Sequence, residues 1–209
     1  MLSVGAAAAR NIVAVTQRFG RAAASMSDIA LPLPLLPSID AEDYEQRLIR
    51  EFLEFLGRGP GFFVDVGANH PQIGSQTWQL ERRGWRGILI EPVPELADQL
   101  RKARTSCVFA VACSSPENAG QSLPFHVAGP LSALDRDRMA AQPQSVINVP
   151  VRTLDTILAE AGAPAPLDFL SVDVEGHEIE VLRGFDFAPG RPASSCWRIM
   201  SAILADTGS

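Results

Sequence analysis

Four short apolar runs constrain the fold of this chain more than any other feature of its sequence. Stretches with helical periodicity lie between them, and several begin at Pro or end before Gly. Continuous apolar runs joined by helices are typical of strands that are buried on both faces of a parallel sheet. The runs are Phe62–Val66, Gly87–Ile90, Val108–Ala112 and Phe169–Val172. We therefore expect an α/β fold with a Rossmann-like, mostly parallel sheet and helices on both faces.

The segments around these runs divide into helices and one long irregular excursion. The Pro-, Gly- and Ser-rich excursion Ser114–Ser145 separates the third run from a further predicted strand, Ile147–Val151. Apolar spacing and helix-ending residues predict helices over Asp40–Leu56, Ser75–Arg83, Pro94–Arg104, Leu154–Ala161 and His177–Arg183.

The composition is that of an ordinary globular protein. Apolar residues make up 46% of the 209 residues, charged residues make up 20%, and the formal net charge is -6. A negative charge disfavours nucleic-acid partners, and no apolar run approaches the ~20 residues of a membrane-spanning helix. Cys107, Cys113 and Cys196 form no CxxC or Cys/His cluster. We therefore expect reduced thiols, no metal site, no membrane partner and a cytoplasmic location.

The first 38 residues differ from the rest and are predicted to lie outside the fold. Arg10, Arg18 and Arg21 precede Asp28, the first acidic residue, and a Pro-rich stretch follows at 31–38. Such a segment is either a mitochondrial transit peptide or the result of an early start codon, with Met26 as the true beginning. The predicted organisation is an extension over 1–38, one domain over 39–190 and a C-terminal tail over 191–209.

The segment between the first run and the next helix is a candidate ligand site. A glycine turn at the carboxyl end of a buried strand allows a ligand to approach the backbone. Asp65 suits a ligand that carries a positive charge. The spacing of Gly67 and Gly74 does not fit the GxGxxG pattern of a pyrophosphate cradle. The alternative is a tight turn that binds no ligand.

Glu91 ends the second run and is the next candidate. A carboxylate in this position can accept hydrogen bonds from both ribose hydroxyls of an adenosine-containing cofactor. The alternative is a carboxylate that stabilises the start of the helix at Pro94 through the helix dipole.

The fourth run delivers a cluster of titratable groups to its carboxyl end. Asp173, Glu175 and His177 follow the run within a few residues and can supply a general base. The alternative is that these groups cap the next helix, which is the interpretation that we favour for Glu178.

Four segments, in the same order, resemble the FkbM-like S-adenosylmethionine-dependent methyltransferases. The resemblance runs from about Gly61 to Phe187 and rests on VDVGAN, GWRGILIEPVPELADQL, VPVRTLDTIL and DFLSVDVEGHEIEVLRGFDF. It implies the class I methyltransferase fold for the domain over 39–190, with S-adenosyl-L-methionine as the cofactor. It also implies transfer of a methyl group to a hydroxyl of a sugar or small metabolite.

The same resemblance assigns roles to residues. It implies that Asp173 and Glu175 face the transferring methyl group. Because an alcohol is a poor nucleophile at neutral pH, we expect Asp173 to act as the base, with Glu175 or His177 as its helper. The excursion Ser114–Ser145, with His126 and the charged cluster 135–138, is either a lid over the acceptor or a solvated loop. The implied cofactor-binding residues are Asp65, Gly67, Ala68 and Asn69 for the methionine part, Glu91 for the ribose, and Val111 and Ala112 for the adenine.

The chain departs from the family pattern in two places. His70 and Pro71 replace the more usual glycine-containing segment after the first turn. After residue 192 the family continues with further strands, whereas Trp197–Leu204 has helical spacing. The sheet is therefore predicted to be truncated after its fourth core strand, and the unpaired edge of Phe169–Val172 is predicted to cause self-association. Two alternatives remain open: an inactive relative that is a binding or vestigial protein, and a dinucleotide-dependent oxidoreductase.

Overall fold

The computed structural model of the chain describes residues 12–16, 47, 49, 51, 53, 59–138, 142–165, 167–186 and 197–201. For 12–16 and 197–201 the description covers the backbone alone. Of the predicted helix Asp40–Leu56, residues 47, 49, 51 and 53 are helical, and the rest lies outside the described residues. No helix in the described part of the chain is long and apolar enough to cross a membrane.

The main sheet has six strands in the order β4-β3-β2-β8-β1-β9. Strands β2, β3, β4 and β8 are parallel to one another, and their carboxyl ends therefore meet at one edge. This arrangement confirms the expected α/β, mostly parallel fold. The strands are β1 (Ile12–Thr16), β2 (Phe62–Val66), β3 (Arg86–Ile90), β4 (Cys107–Phe109), β8 (Phe169–Val172) and β9 (Trp197–Ser201).

Helices cover both faces of this sheet, as predicted. One face packs Phe63, Leu89 and Phe169 against residues of the first two helices, including Leu80 and Leu100. The opposite face carries the alternate residues of the same strands and packs against the last two helices. Besides the helical residues 47, 49, 51 and 53, the described helices are α1 (Trp78–Arg82), α2 (Pro94–Ala103), α3 (Leu154–Glu160) and α4 (Glu178–Arg183).

A second, three-stranded sheet lies beside the carboxyl edge, in the order β5-β7-β6. Its strands are β5 (Ala112–Cys113), β6 (Ser122–Val127) and β7 (Ser145–Arg152), and a short 3-10 helix (Arg136–Arg138) follows β6. Its apolar residues pack against Val93 and Leu96 at the start of α2. This sheet therefore forms a wall above the carboxyl ends of the parallel strands.

The second sheet corrects two sequence-based predictions. The run Val108–Ala112 is not one strand, because β4 ends at Phe109 and Ala112 begins β5 in the other sheet. The excursion Ser114–Ser145 is not irregular throughout, because β6 forms an antiparallel hairpin with β7. A continuous apolar run does not reveal where the chain changes sheets, since both strands need apolar residues.

The predicted truncation of the sheet at β8 is wrong. Strand β1 pairs antiparallel with β8, with Ile12 opposite Val172 and Val15 opposite Phe169, and β9 pairs with β1. The edge of β8, on which the expected self-association was based, is therefore paired. The helical interpretation of the tail is also wrong where the structure describes it, since Trp197–Ser201 is a strand.

These corrections have a common physical reason. All residues of β8 are buried, and a buried strand with unpaired N–H and C=O groups is strongly unfavourable. The segment IVAVT of β1 is rich in β-branched residues, which favour strands over helices. The N-terminal segment, predicted to lie outside the fold, therefore supplies the missing neighbour of β8.

We expect a chain that begins at Met26 to self-associate, because it lacks β1 and leaves the edge of β8 unpaired. Its melting temperature should be lower by roughly 5 °C or more, since 1 kcal/mol corresponds to about 2–4 °C at this size. Sedimentation and thermal melts of both chains test this. A matched variant is Ala14→Pro in the full chain, which removes a ladder hydrogen bond from the middle of β1. A shortened chain that is monomeric and equally stable would contradict the expectation.

Candidate functional site

The turn after β2 brings the backbone against both neighbouring strands. Gly67 has a φ of 86°, and a Cβ at this position would overlap the carbonyl oxygen of Asp173. The N–H groups of Gly67 and Ala68 both donate to the carbonyl oxygen of Ile90, at 2.9 and 3.1 Å. Glycine is therefore required here by backbone packing, and the N–H groups of this turn are used within the protein.

Glu91 fixes the shape of the site at the end of β3. It is 4% exposed, and its two carboxylate oxygens accept hydrogen bonds from different segments. One oxygen accepts from the N–H of Asn69 and the other from the N–H of Val93, each at 2.9 Å. Val93 is the N-cap residue of α2, so the structure contains the helix-start interaction that the sequence left as an alternative. The same residue lines a cavity at the carboxyl edge of the parallel strands.

Burial dominates the electrostatics of Glu91. Removal from water raises the pKa of its carboxyl to about 7, against the opposing effect of the two backbone hydrogen bonds. The negative charge of the nearby Asp65 raises the pKa further. Glu91 therefore changes its charge near neutral pH.

Asp65 is buried beneath the turn and belongs to a polar network. The hydroxyl of Thr77 donates to Asp65 Oδ2 at 2.7 Å, and Arg104 Nη2 donates to the same hydroxyl oxygen at 3.2 Å. Burial raises the pKa of the Asp65 carboxyl. The hydrogen bond from Thr77 and the charge of Arg104 lower this pKa, but by less, so it stays above its usual value. Asp65 is thus held in place from the segment that follows the glycine turn.

Arg104 connects that segment to the end of α2. Its guanidinium donates to the carbonyl oxygen of Pro71 at 3.1 Å and to the hydroxyl of Ser75 at 3.2 Å. It also pairs with Glu81 at 3.0 Å, and both side chains of this pair are almost fully buried. The residues from 71 to 77 are therefore fixed by one buried cation.

The loop after β8 carries the predicted catalytic groups. The N–H of Asp173 donates to the carbonyl oxygen of Val66 at 2.9 Å, which attaches this loop to the end of β2. Glu175 has a φ of 53°, a left-handed conformation that is uncommon for residues other than glycine and often marks functional sites. Glu178 is buried and accepts from the N–H of Gly176 at 3.0 Å, in agreement with a structural role.

His177 is held by a partner that the sequence did not reveal. Its Nε2 lies 2.9 Å from the hydroxyl oxygen of Ser114, which also accepts a hydrogen bond from the Asn118 side chain at 2.9 Å. Ser114 is fully buried just beyond β5. These contacts fix the orientation of the imidazole at the start of α4.

Two adjoining cavities open at the carboxyl edge of the parallel strands. The smaller contains about 550 Å³, including its opening to solvent, and lies between the end of β3, the start of α2 and the second sheet. The larger contains about 1100 Å³, including its opening to solvent, and is bordered by the turn after β2 and the segment 70–76. Gly67, Asn69, Pro130 and Asp173 line both cavities, which therefore form one continuous site.

All of the predicted site residues line these cavities, and their roles remain predictions. The smaller cavity is lined by Glu91, Val111, Ala112 and His177. The larger cavity is lined by Asp65, Ala68 and Glu175. Both cavities are lined by Gly67, Asn69 and Asp173. The excursion contributes in part, through Phe125, Gly129, Pro130, Ser132 and Leu134. His126 and the charged cluster 135–138 are not among the described lining residues.

Several residues that shape the site have no recognisable signal in the sequence. Thr77, Arg104 and Ser114 act through contacts between distant segments, and no local pattern marks such contacts. Leu96 and Phe125 provide apolar lining of the smaller cavity. Predicting this lining would have required knowledge of where the second sheet lies. Cys113 also lines the smaller cavity, and burial raises the pKa of its thiol to about 12. The thiol therefore stays protonated and is not a nucleophile.

Comparison with protein families adds an independent finding. The model of the methyltransferase FkbM domain matches residues 65–195, which is more than half of the chain. The match begins at the buried Asp65 of the glycine turn and includes both cavities' lining residues. Comparisons with curated proteins and with solved structures gave no match. The family match, together with the parallel sheet and the site at its carboxyl edge, shows that the chain belongs to the FkbM methyltransferase domain family.

Proposed function

We propose that this protein is an S-adenosylmethionine-dependent methyltransferase that methylates a hydroxyl group of a sugar or small metabolite. The proposal rests on one continuous site in which Glu91 and Asp173 line adjoining cavities. The chain that contains this site belongs to a methyltransferase family.

The smaller cavity suits an adenosine group. Each oxygen of Glu91 accepts one backbone hydrogen bond and keeps acceptor capacity for a ribose hydroxyl. Val111, Ala112 and Phe125 provide apolar surface for a planar ring. A few polar groups in an otherwise apolar cavity are typical of cofactor sites.

The larger cavity suits the methionine part. Adenosylmethionine, when bound, supplies a methyl group on a positively charged sulfur. Asp65, Asp173 and Glu175 line the cavity with carboxyl groups, and no Lys or Arg occurs among its described lining residues. This charge pattern favours a cationic cofactor end and an acceptor without phosphate groups.

Asp173 is the proposed general base. It lines both cavities, where it can accept the proton of an acceptor hydroxyl, and such assistance contributes about 10²–10⁴ in rate. Glu175 and His177 flank it and orient the acceptor. The segment around Pro130 covers both cavities and limits the access of water. Holding the acceptor in line with the methyl group can contribute ~7–11 kcal/mol.

The two alternative functions have less support. A pyrophosphate cradle needs backbone N–H groups that face the ligand, whereas those of Gly67, Ala68 and Asn69 donate to Ile90 and Glu91. This use of the turn disfavours a dinucleotide-dependent oxidoreductase. An inactive relative was suggested by the truncated sheet, and the pairing of β8 with β1 removes that reason.

Calorimetric titration with S-adenosylhomocysteine and NADH tests the proposed cofactor. We expect binding of the first and no binding of the second. Glu91→Gln should weaken S-adenosylhomocysteine binding by ~1.5–3 kcal/mol, the scale of hydrogen bonds to a charged group. Binding of NADH alone, or unchanged affinity in the variant, would contradict the assignment of Glu91.

Cofactor affinity and the stability of the unliganded protein should depend on pH in opposite directions. Because folding raises the pKa of Glu91 to about 7, its contribution to stability is full below about 4.5 and is lost as pH rises through 7. The ionised carboxylate is the better acceptor for ribose hydroxyls, so affinity should be about tenfold weaker at pH 6 than at pH 8. Titrations and melts at both pH values measure the two trends.

Glu91→Gln is the control for this pH dependence. Its amide cannot titrate, so both pH trends should become much smaller. Its NH₂ group would face one of the two backbone N–H groups, which should cost about 1–3 kcal/mol of stability at every pH. An unchanged pH trend in the variant would show that another group titrates.

Asp173→Asn should reduce turnover at least ~10²-fold while cofactor affinity changes little, because the amide keeps the shape and loses the base. Turnover with an identified acceptor and titration with S-adenosylhomocysteine measure the two effects separately. Full turnover in the variant would show that Asp173 has a structural role.

Glu175→Gly should be more stable than Glu175→Ala by up to ~1 kcal/mol, because both variants lose the side chain and only glycine adopts a positive φ without strain. Turnover should nevertheless fall in both, since the carboxylate is lost from the larger cavity. Glu175→Gln keeps the strained backbone and removes the charge, so it should lose turnover without gaining stability. Denaturant unfolding and rate measurements distinguish these cases, and a glycine variant that is less stable than the alanine variant and fully active would contradict the argument.

A further inference from the structure

His70 lies in the segment between β2 and α1, and two backbone hydrogen bonds define which nitrogen of its ring carries the proton. Its Nδ1 accepts hydrogen bonds from the backbone N–H groups of Gln72 at 3.1 Å and Ile73 at 2.9 Å. A backbone N–H can only donate, so Nδ1 carries no proton. The neutral imidazole therefore carries its proton on Nε2.

His70 also lines the larger cavity, beside carboxyl groups. These carboxyl groups suit the positively charged groups of the methionine part of the cofactor, but not its carboxylate. Asp65, Asp173 and Glu175 can balance an ammonium group and a sulfonium. They repel the carboxylate that the methionine part also carries. A ligand of this kind needs a hydrogen-bond donor in the same cavity.

Few groups in the cavity can supply that donor. The N–H groups of residues 67 to 69 donate to Ile90 and Glu91. No Lys or Arg is found in the described lining of this cavity. The amides of Asn69 and Gln76 contain both a donor and an acceptor, whereas the proton of His70 is fixed on Nε2 by the two backbone contacts.

We propose that His70 donates a hydrogen bond from Nε2 to the carboxylate of the methionine part of the bound cofactor. This inference rests on the proposed function and extends it to one residue and one group of the ligand. His70 then has two roles: its Nδ1 closes the loop at residues 72 and 73, and its Nε2 recognises the ligand.

The experiment separates these roles with variants that retain the loop contact. Asn and Asp side chains accept hydrogen bonds from backbone N–H groups two and three residues later, as Nδ1 of His70 does. His70→Asn thus keeps the loop and replaces the imidazole donor by an amide NH₂ group on a shorter side chain, which does not reach the position of Nε2. His70→Asp keeps the loop and adds a negative charge. Melting temperatures of the variants verify that the loop contact is retained.

Calorimetric titration uses two ligands that differ in one group: S-adenosylhomocysteine and its decarboxylated analogue. For His70→Asn we expect about tenfold weaker binding of S-adenosylhomocysteine, because a charge-assisted hydrogen bond is lost. The affinity of His70→Asn for the decarboxylated analogue should stay within about twofold of the parent protein's affinity, because the analogue has no carboxylate to accept this hydrogen bond. For His70→Asp, the loss of affinity for S-adenosylhomocysteine should be larger than for His70→Asn. The decarboxylated analogue should bind to His70→Asp at least as tightly as it binds to the parent protein.

Equal effects on the two ligands, or no effect on either, would overturn the role of His70 and leave the proposed function intact. If the unaltered protein binds neither ligand, the proposed function fails and this inference fails with it. The two failures are therefore distinguishable by the titration of the unaltered protein.

Discussion

The site depends on one buried carboxylate that joins two otherwise separate segments. Glu91 accepts the N–H of Asn69 from the turn after β2 and the N–H of Val93 from the start of α2. Without this carboxylate both N–H groups would lose their partner, and an unsatisfied buried donor costs about 1–3 kcal/mol. The same residue lines the smaller cavity. The group that holds the walls together is thus also the group that we propose binds the ribose.

A second buried charge shapes the other half of the site. Arg104 contacts Pro71, Ser75 and Thr77 from the end of α2, and Thr77 in turn donates to Asp65. Replacing one member of such a network leaves its partners buried without compensation, so the network stabilises one geometry rather than adding a large net energy. Thr77 and Arg104 therefore hold the wall of the larger cavity in place, although neither is among its described lining residues.

The sequence was sufficient to predict the parallel strands and the edge where the site lies. Strand identity followed from apolar runs, and the site followed from polar residues at the ends of those runs, as at Asp65, Glu91 and Asp173. What could not be predicted depends on pairing between distant segments. The apolar residues from 108 to 112 satisfy either sheet, so the change of sheet after Phe109 leaves no local signal. The hydrogen bond between Ser114 and His177 likewise has no pattern in either segment.

The position of β1 also determines the order in which the sheet can form. Strand β1 precedes the other described strands in the chain, yet its partner β8 contains residues 169 to 172, and the next neighbour β9 follows at 197 to 201. Closing a loop of that length brings an entropic cost before any contact is gained, and such non-local pairing slows folding. On the ribosome, β1 emerges long before the chain that will cover it, whereas β2, β3 and β4 can assemble as they appear. The half of the sheet that carries Asp65 and Glu91 is therefore built from neighbouring segments, and the outer half is completed last.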